Sequence, residues 1–346
     1  MDRPKPTIPS DWQVEVSGML LQVHSEILWT GDKDCSAKPS DRAGFWVMPP
    51  CVGFDNIPGH AFAHTPDRFF FFLDIERIVR VQITTREQKV FPSLGSFGGS
   101  FAGIAYLQNK VYTFVMSGSK DYLMVMDKVG TLLQRHELRD RQGKPRPLFG
   151  RRISISGPVY PFRTVATPSH SLLILEPHMW QQLCEYTLSG VLKREWLGVT
   201  GCALGREGQI YVSGQPQPAS GVAVAKPPRE LKKGDWQLVG IDVHNRFYWR
   251  SFIERTIPIK PSSKMTWTWA FSRLACGSLD GRLFWEIALD GPDGVLARYD
   301  PYLHASGGAG GGWIEIEPEG SILAFCVSRS EKVRHGVGLY RVRVSA

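Results

Sequence analysis

One short pattern recurs along this chain: a tight turn followed at once by a strand of apolar and aromatic residues. The clearest copy is Gly201–Ser213, in which a Glu-Gly turn precedes the strand Ile-Tyr-Val. Comparable turns are centred on six positions: Asp67, Asn109, His170, Gly208, Gly281 and Gly320. Three of the five intervals between them are 38 to 42 residues long, close to the roughly 40–50 residues of a four-stranded repeat. The pattern therefore predicts a repeated, all-β unit.

A second pattern alternates with the first and has the form of a hairpin. In three segments a glycine or asparagine occupies the turn, and an apolar residue follows two positions later. Such a turn needs a positive φ, which glycine and asparagine tolerate best. The turn residue and the apolar residue of each copy are Gly130 and Leu132, Gly190 and Leu192, and Asn245 and Phe247.

These two patterns follow each other in a fixed order, which predicts an all-β, six-bladed β-propeller of four-stranded blades. We expect a single domain over residues 1–346, with a flexible segment at 1–10 and insertions at about 139–159 and 215–235. The segments Trp12–Leu21 and Gly338–Val344 alternate as strands do, so an N-terminal strand is expected to complete the last blade. Two β-sandwich domains are the alternative, because they would also explain the short strands.

Two stretches carry a resemblance to a known repeat. The sequences EYTLSGVLKREWLG and GREGQIYVSG lie within about residues 182–214. They resemble the hairpin and strand of NHL-type repeats, within the six-bladed propellers that include SMP-30/gluconolactonase and strictosidine-synthase-like proteins. The resemblance implies a propeller fold. For SMP-30-type proteins it also implies a calcium or other divalent ion, held on the channel axis by acidic and amide side chains.

Charge and composition limit the partners. The formal charge of +8 and the sequence pI of about 9.2 permit an anionic partner, but no nucleic-acid motif accompanies them. The basic residues are concentrated in apparent loops, such as Arg139–Arg152. A protein or peptide partner is therefore favoured over nucleic acid, and we expect a monomer.

Cysteine spacing and hydropathy indicate the compartment. The six cysteines show no CxxC pair, which disfavours a zinc knuckle or a redox pair. The N-terminal residues MDRPKPTIPS have no apolar signal-peptide core, and no apolar run approaches about 20 residues. The sequence predicts a reduced, cytoplasmic protein with no membrane span.

Candidate binding residues are those expected on the innermost strands, which line the channel of a propeller. Aromatic side chains there can form a flat surface for a ligand. Packing between blades is the alternative for each of them. The candidate ligand-binding residues are His60, Tyr160, Arg163, Trp267, Trp269, Trp313 and Glu315.

No catalytic or metal site can be assembled from the sequence. There is no GxSxG nucleophile motif. His60 and His64 are four residues apart, which on a strand separates them by about 13 Å, too far for one ion. Possible oxygen ligands, among them Glu286, Glu315 and Glu317, come from too few blades to surround an ion.

The sequence therefore predicts a non-catalytic propeller scaffold without a cofactor. It would bind a protein or peptide partner through the channel face and long basic loops. The alternative function is a metal-dependent hydrolase of the SMP-30/gluconolactonase type, with a divalent cation such as calcium.

Overall fold

A computed structural model describes most of the chain, as a set of separate ranges. Those ranges are 11–16, 19–30, 62–64, 69–74, 77–82, 84–85, 87–91, 99–117, 120–151, 162–176, 180–231, 234–258, 266–288, 298–299, 314–330 and 333–345. Within them the strands are β1 (Asp11–Val16), β2 (Met19–Thr30), β3 (Phe62–His64), β4 (Phe69–Asp74), β5 (Arg77–Gln82), β6 (Gln88–Val90), β7 (Gly99–Leu107), β8 (Lys110–Ser117), β9 (Tyr122–Asp127), β10 (Leu132–Glu137), β11 (Arg163–Ala166), β12 (Ser171–Glu176), β13 (Gln182–Thr187), β14 (Leu192–Leu204), β15 (Ile210–Gln217), β16 (Ala223–Val224), β17 (Gln237–Ile241), β18 (Phe247–Pro258), β19 (Thr266–Gly277), β20 (Leu283–Ala288), β21 (Arg298–Tyr299), β22 (Ile314–Ile316), β23 (Ile322–Ser330) and β24 (Val333–Ser345). The prediction of an all-β chain is confirmed.

Consecutive strands pair as antiparallel meanders. Strands β3 to β6 form one four-stranded sheet and β7 to β10 form a second. Strands β11 to β14 begin a third in the same way, and β15 and β16 extend it to six strands. A four-stranded antiparallel meander is the unit from which propeller blades are built. The propeller prediction is therefore confirmed at the level of this unit.

The prediction of six separate blades is wrong for the described residues, which form four sheets. The fourth sheet has ten strands, because β21 pairs with both β19 and β23 and so joins two meanders. The blade predicted from the turn at Gly208 and the hairpin at Asn245 is also divided. β14 runs without interruption from Leu192 to Leu204, which attaches β15 to the third sheet, whereas β17 and β18 belong to the fourth.

The N-terminal and C-terminal strands pair with each other. β2 lies antiparallel to β24, from Gln22 opposite Ser345 to Thr30 opposite Gly338. β1, which contains residues 12–16 of the predicted segment Trp12–Leu21, pairs with β2 instead. The predicted closure is confirmed, but the closing strand is the next one along the chain. Leu21 and Val23 of β2 are buried in the same core cluster as Val342 of β24, so apolar burial accompanies this pairing.

Seven of the predicted turns share one recurring structure. At each, the residue with positive φ donates its N–H to the carbonyl oxygen three residues earlier, at 2.8–3.2 Å. This is a type I turn followed by a left-handed residue, which suits a twisted hairpin. The left-handed residues are Gly130, His170, Gly190, Gly208, Asn245, Gly281 and Gly320. Gln108 and Asn109 form a two-residue turn in which both residues have positive φ, and Asp67 lies outside the described residues.

We expect Gly190→Ala to lower the free energy of unfolding by about 1–2 kcal/mol, because a Cβ disfavours the left-handed region. Gly190 has φ of +79°, and an added Cβ would lie 3.3 Å from the Cβ of His136. Urea denaturation measures the change. Ser189→Ala, on the exposed neighbour in the same turn, is the control. Equal stabilities of the two variants would contradict the turn assignment.

The chain divides into two compact units, Met1–Asp55 with Ala225–Ala346, and Asn56–Val224. The first holds a core cluster that includes Val23, Tyr248 and Trp285. The second holds clusters around Tyr186, around Met124 and around Trp196. A single domain over 1–346 stays a prediction. Across the ranges that the structure describes, no helix is long and apolar enough to cross a membrane.

Candidate functional site

The structure locates some of the predicted channel residues. Arg163 begins β11 and Glu315 lies in β22, both half-buried. They belong to different compact units. Trp267 and Trp269 lie in β19, but their side chains are outside the described part. Three further candidates lie outside the described residues altogether: His60, Tyr160 and Trp313.

The inner strand segments of the second unit carry packing residues. Phe101 is buried within a core cluster. Burial raises the pKa of the Cys202 thiol, and the nearby positive charge of Arg163 opposes that rise without reversing it. The thiol therefore stays protonated at neutral pH and is a poor nucleophile. Cys202 acts as a core residue beside Arg163.

Two of the carboxylates considered as possible oxygen ligands are engaged by arginine. Arg341 binds Glu317 through two hydrogen bonds, of 2.6 and 2.9 Å. Glu286 is paired with Arg273. In the described ranges, no three His, Cys, Asp or Glu side chains are grouped so that they could hold a metal ion. Glu317 and Glu286 thus each already neutralise an arginine side chain of the protein.

Three exposed apolar residues of the second unit lie within five positions of one another at the β9–β10 hairpin. Val129, Leu132 and Leu133 are 46%, 40% and 47% exposed. Leu132 occupies the repeat position that is 2% exposed at both Leu192 and Phe247. β10 is the edge strand of its sheet. One copy of the repeat therefore presents to solvent an apolar position that two other copies bury. We refer to Val129, Leu132 and Leu133 as the apolar edge.

A small hairpin follows the apolar edge. Residues Leu138–Arg146, here named the basic hairpin, fold back on themselves. Arg139 forms an antiparallel β-bridge with Pro145. The N–H of Arg146 donates to the carbonyl oxygen of Leu138 at 2.9 Å. The Asp140 carboxylate accepts the N–H groups of Gln142 and Lys144, each at 2.9 Å. These bonds stabilise the turn and occupy one oxygen of the carboxylate.

The far end of the basic hairpin is anchored to the core. Arg146 binds both carboxylate oxygens of Glu195, at 3.3 and 2.6 Å. The Leu148 N–H donates to Asp121 at 2.7 Å, and Leu148 and Phe149 are buried. Burial raises the pKa of Asp121, and its backbone hydrogen bonds partly oppose this. The first part of the predicted insertion at 139–159 is therefore an ordered structure.

The second predicted insertion, 215–235, is also partly built into a sheet. β15 extends to Gln217, and β16 pairs with it in parallel. The indole N–H of the buried Trp196 donates to the carbonyl oxygen of Ser220 at 2.9 Å. Deleting the whole segment would remove these contacts, so point substitutions elsewhere are the better test of function.

Positively charged residues flank the apolar edge along the chain. Residues 128–144 contain five lysines and arginines and two acidic residues. Arg135 stacks on Tyr122, with its guanidinium carbon 3.7 Å from the ring centroid. Glu137 forms ion pairs with Lys120 and Arg139. Arg141 and Lys144 extend the charge as exposed side chains of the basic hairpin.

Sequence reasoning predicted binding through the basic loop but did not identify the apolar edge. The repeat pattern aligns Leu132 with Leu192 and Phe247. A leucine at that position does not by itself show whether the side chain is buried or exposed. One signal was present in the sequence: a Leu-Leu pair followed by the polar and charged run Gln-Arg-His-Glu, which no longer alternates as a half-buried strand does.

Comparisons with known proteins return distant structural similarity. No protein-family model and no curated protein matches the sequence. A PQQ-bound aldose sugar dehydrogenase from Streptomyces coelicolor is 11% identical, with TM-score 0.45 over 93% of this chain and 98% of that one. A streptogramin B lyase is 10% identical, with TM-score 0.40 over 87% and 98%. The Cps50 (Swd1) β-propeller domain from Myceliophteria thermophila is 8% identical, with TM-score 0.40 over 82% and 96%. The fold assignment therefore rests on the strand pairing itself.

Proposed function

We propose that this protein is a non-catalytic, cytoplasmic β-propeller scaffold that binds a protein or peptide partner through its basic loops and channel face. The observation that carries the proposal is the exposure of Leu132 at a position that Leu192 and Phe247 bury. An exposed apolar cluster on an edge strand is a liability for an isolated protein. A partner that covers it removes that liability and gains the burial free energy.

The arrangement also has the parts of a protein interface. Interfaces combine an apolar centre with a polar rim, and they are enriched in arginine. The apolar edge supplies the centre, and Arg135, Arg139 and Arg141 supply part of the rim. The anchoring of the hairpin through Arg146 and Glu195 reduces the ordering entropy lost on binding.

The alternative is a metal-dependent hydrolase, as the SMP-30-like resemblance implies. Glu317 and Glu286 would then have to exchange their arginine partners for an ion. Such an exchange would take from Arg273 the carboxylate it pairs with and from Arg341 the nearer of its two, leaving Glu26 at 3.5 Å, although both arginines are partly buried. The scaffold is therefore the better supported function.

Elemental analysis of the purified protein separates the two functions. We expect divalent metal well below one ion per chain after gel filtration in chelator-free buffer. About one tightly held divalent ion per chain would contradict the scaffold. Protein passed through a chelating resin and then incubated with calcium is the control for loss of metal during purification.

Affinity purification tests partner binding directly. We expect one protein to co-purify in near-stoichiometric amount and to re-form the complex when both components are pure, as measured by calorimetry. Leu132→Ser with Leu133→Ser should weaken that complex at least tenfold. Failure of any purified candidate to re-form a complex with the wild type would contradict the proposed function.

A further inference from the structure

We infer that the apolar edge and the basic hairpin form one continuous strip, and that its occupant is an extended segment of a partner protein with apolar side chains at one end and carboxylates at the other. This rests on the proposed function and specifies the chemistry of the partner.

The strip is continuous along the backbone. β10 pairs with β9 from Leu132 to Glu137, and the Leu138 N–H continues the ladder by donating to the Asp121 carbonyl oxygen at 2.9 Å. Arg139 then begins the basic hairpin. Seven residue steps of about 3.3 Å each span roughly 23 Å from Leu132 to Arg139. An extended segment of seven or eight residues matches that length.

The two ends of the strip differ in character. The exposed leucines and Val129 lie at one end, and Arg139, Arg141 and Lys144 lie at the other. The apolar end favours Leu, Val or aromatic side chains by burial. The basic end favours Asp or Glu, since charge complementarity determines which partners can approach. An acidic and apolar segment satisfies both ends at once.

The acidic residues of the strip are already engaged. Glu137 pairs with Lys120 and Arg139, and Asp140 accepts backbone N–H groups of its own turn. Both carboxylates that a second copy of this chain would bring from its own strip therefore already take part in ion pairs or turn hydrogen bonds. The charge pattern favours a different, acidic partner over self-association.

Peptide selection tests the inference and does not require an identified partner. The probe is a random dodecapeptide library displayed on phage, selected on the full-length protein. We expect the enriched peptides to combine apolar residues with two or more carboxylates. The most enriched sequences are then synthesised and their Kd values measured by fluorescence anisotropy at low and at physiological salt.

Two variants test the apolar end and the basic end of the strip separately. Leu132→Ser with Leu133→Ser should weaken the selected peptides at least tenfold at both salt concentrations. Arg141→Glu with Lys144→Glu should weaken them tenfold or more at low salt and less at physiological salt, because screening reduces the charge contribution. The matched controls replace equally exposed residues elsewhere, Leu197→Ser with Val224→Ser, and Arg206→Glu. The controls should change Kd less than twofold.

The outcomes are distinguishable. Peptides that bind both strip variants as tightly as the wild type would overturn this inference and leave the peptide-binding function standing. Enrichment of basic peptides would overturn the charge argument in particular. A selection in which the wild type enriches no peptide beyond the level on an unrelated protein would contradict both the inference and the proposed function. Thermal melting of every variant confirms that a lost interaction does not reflect unfolding.

Discussion

Replacing Val23 with aspartate is expected to lower the free energy of unfolding by more than about 4 kcal/mol, the range seen when an unpaired charge is placed in a core. Val23 is fully buried and lies opposite Val344, on the strand that pairs with the C-terminal strand. Small proteins are stable by only about 5–15 kcal/mol. The variant should therefore unfold at much lower urea than the wild type.

The control for this prediction lies on the same strand. Leu20 is 58% exposed, so Leu20→Asp introduces the same side chain without burying it and should change stability by less than about 1 kcal/mol. Urea denaturation followed by tryptophan fluorescence measures both variants. Similar midpoints for Val23→Asp and Leu20→Asp would show that β2 does not pack as described, and the closure by the terminal strands would then be wrong.

Replacing Glu185 with glutamine is expected to lower the free energy of unfolding by about 2–3 kcal/mol at pH 7. This is less than the full effect of breaking a buried ion pair, because the cationic partners of Glu185 are partly exposed. The Glu185 side chain is 1% exposed and accepts hydrogen bonds from Ser171 at 2.6 Å, Lys193 at 2.7 Å and Arg194 at 2.6 Å. The neutral amide keeps the volume but leaves the two cations without a counter-charge.

The same carboxylate predicts a pH dependence. Burial acts to raise the pKa of Glu185, but the hydrogen bonds from Lys193, Ser171 and Arg194 outweigh it and lower the pKa below 4.5. A lowered pKa in the folded state stabilises the fold above about pH 4.5, and this contribution is lost as the pH falls through the folded-state pKa. The difference in stability between wild type and Glu185→Gln should therefore shrink as the pH falls below about 4.5.

Denaturation at a series of pH values from 7 to 3 measures that difference. Glu207→Gln, on an exposed hairpin turn, is the matched control and should stay within about 0.5 kcal/mol of the wild type at every pH. A difference for Glu185→Gln that stays constant down to pH 3 would contradict the ion-pair network as described.

Local features of the fold were accessible from the sequence because they depend on few residues. The left-handed position of a turn tolerates glycine and asparagine, so Gly190, Gly208 and Asn245 could be identified as turns from residue type alone. The spacing of these turns also predicted the antiparallel meanders, since each turn joins two adjacent strands.

Sheet membership was less accessible because it depends on pairings between distant residues. Nothing in the residues of β21 indicates that it pairs with both β19 and β23, and that pairing merges two meanders into one sheet. Likewise, β14 is long because its first half pairs with β13 and its second half pairs with β15. The six-blade prediction failed at these points.

The sequence by itself determined the all-β class and the positions of the hairpin turns. Each follows from backbone preferences or from alternating apolar residues, which act locally. Only the tertiary structure decided which apolar residues are covered. Leu132 and Leu192 occupy equivalent places in the repeat, yet one is exposed and the other buried, because burial depends on neighbouring elements that lie far away in the chain. The candidate binding surface is a consequence of that difference.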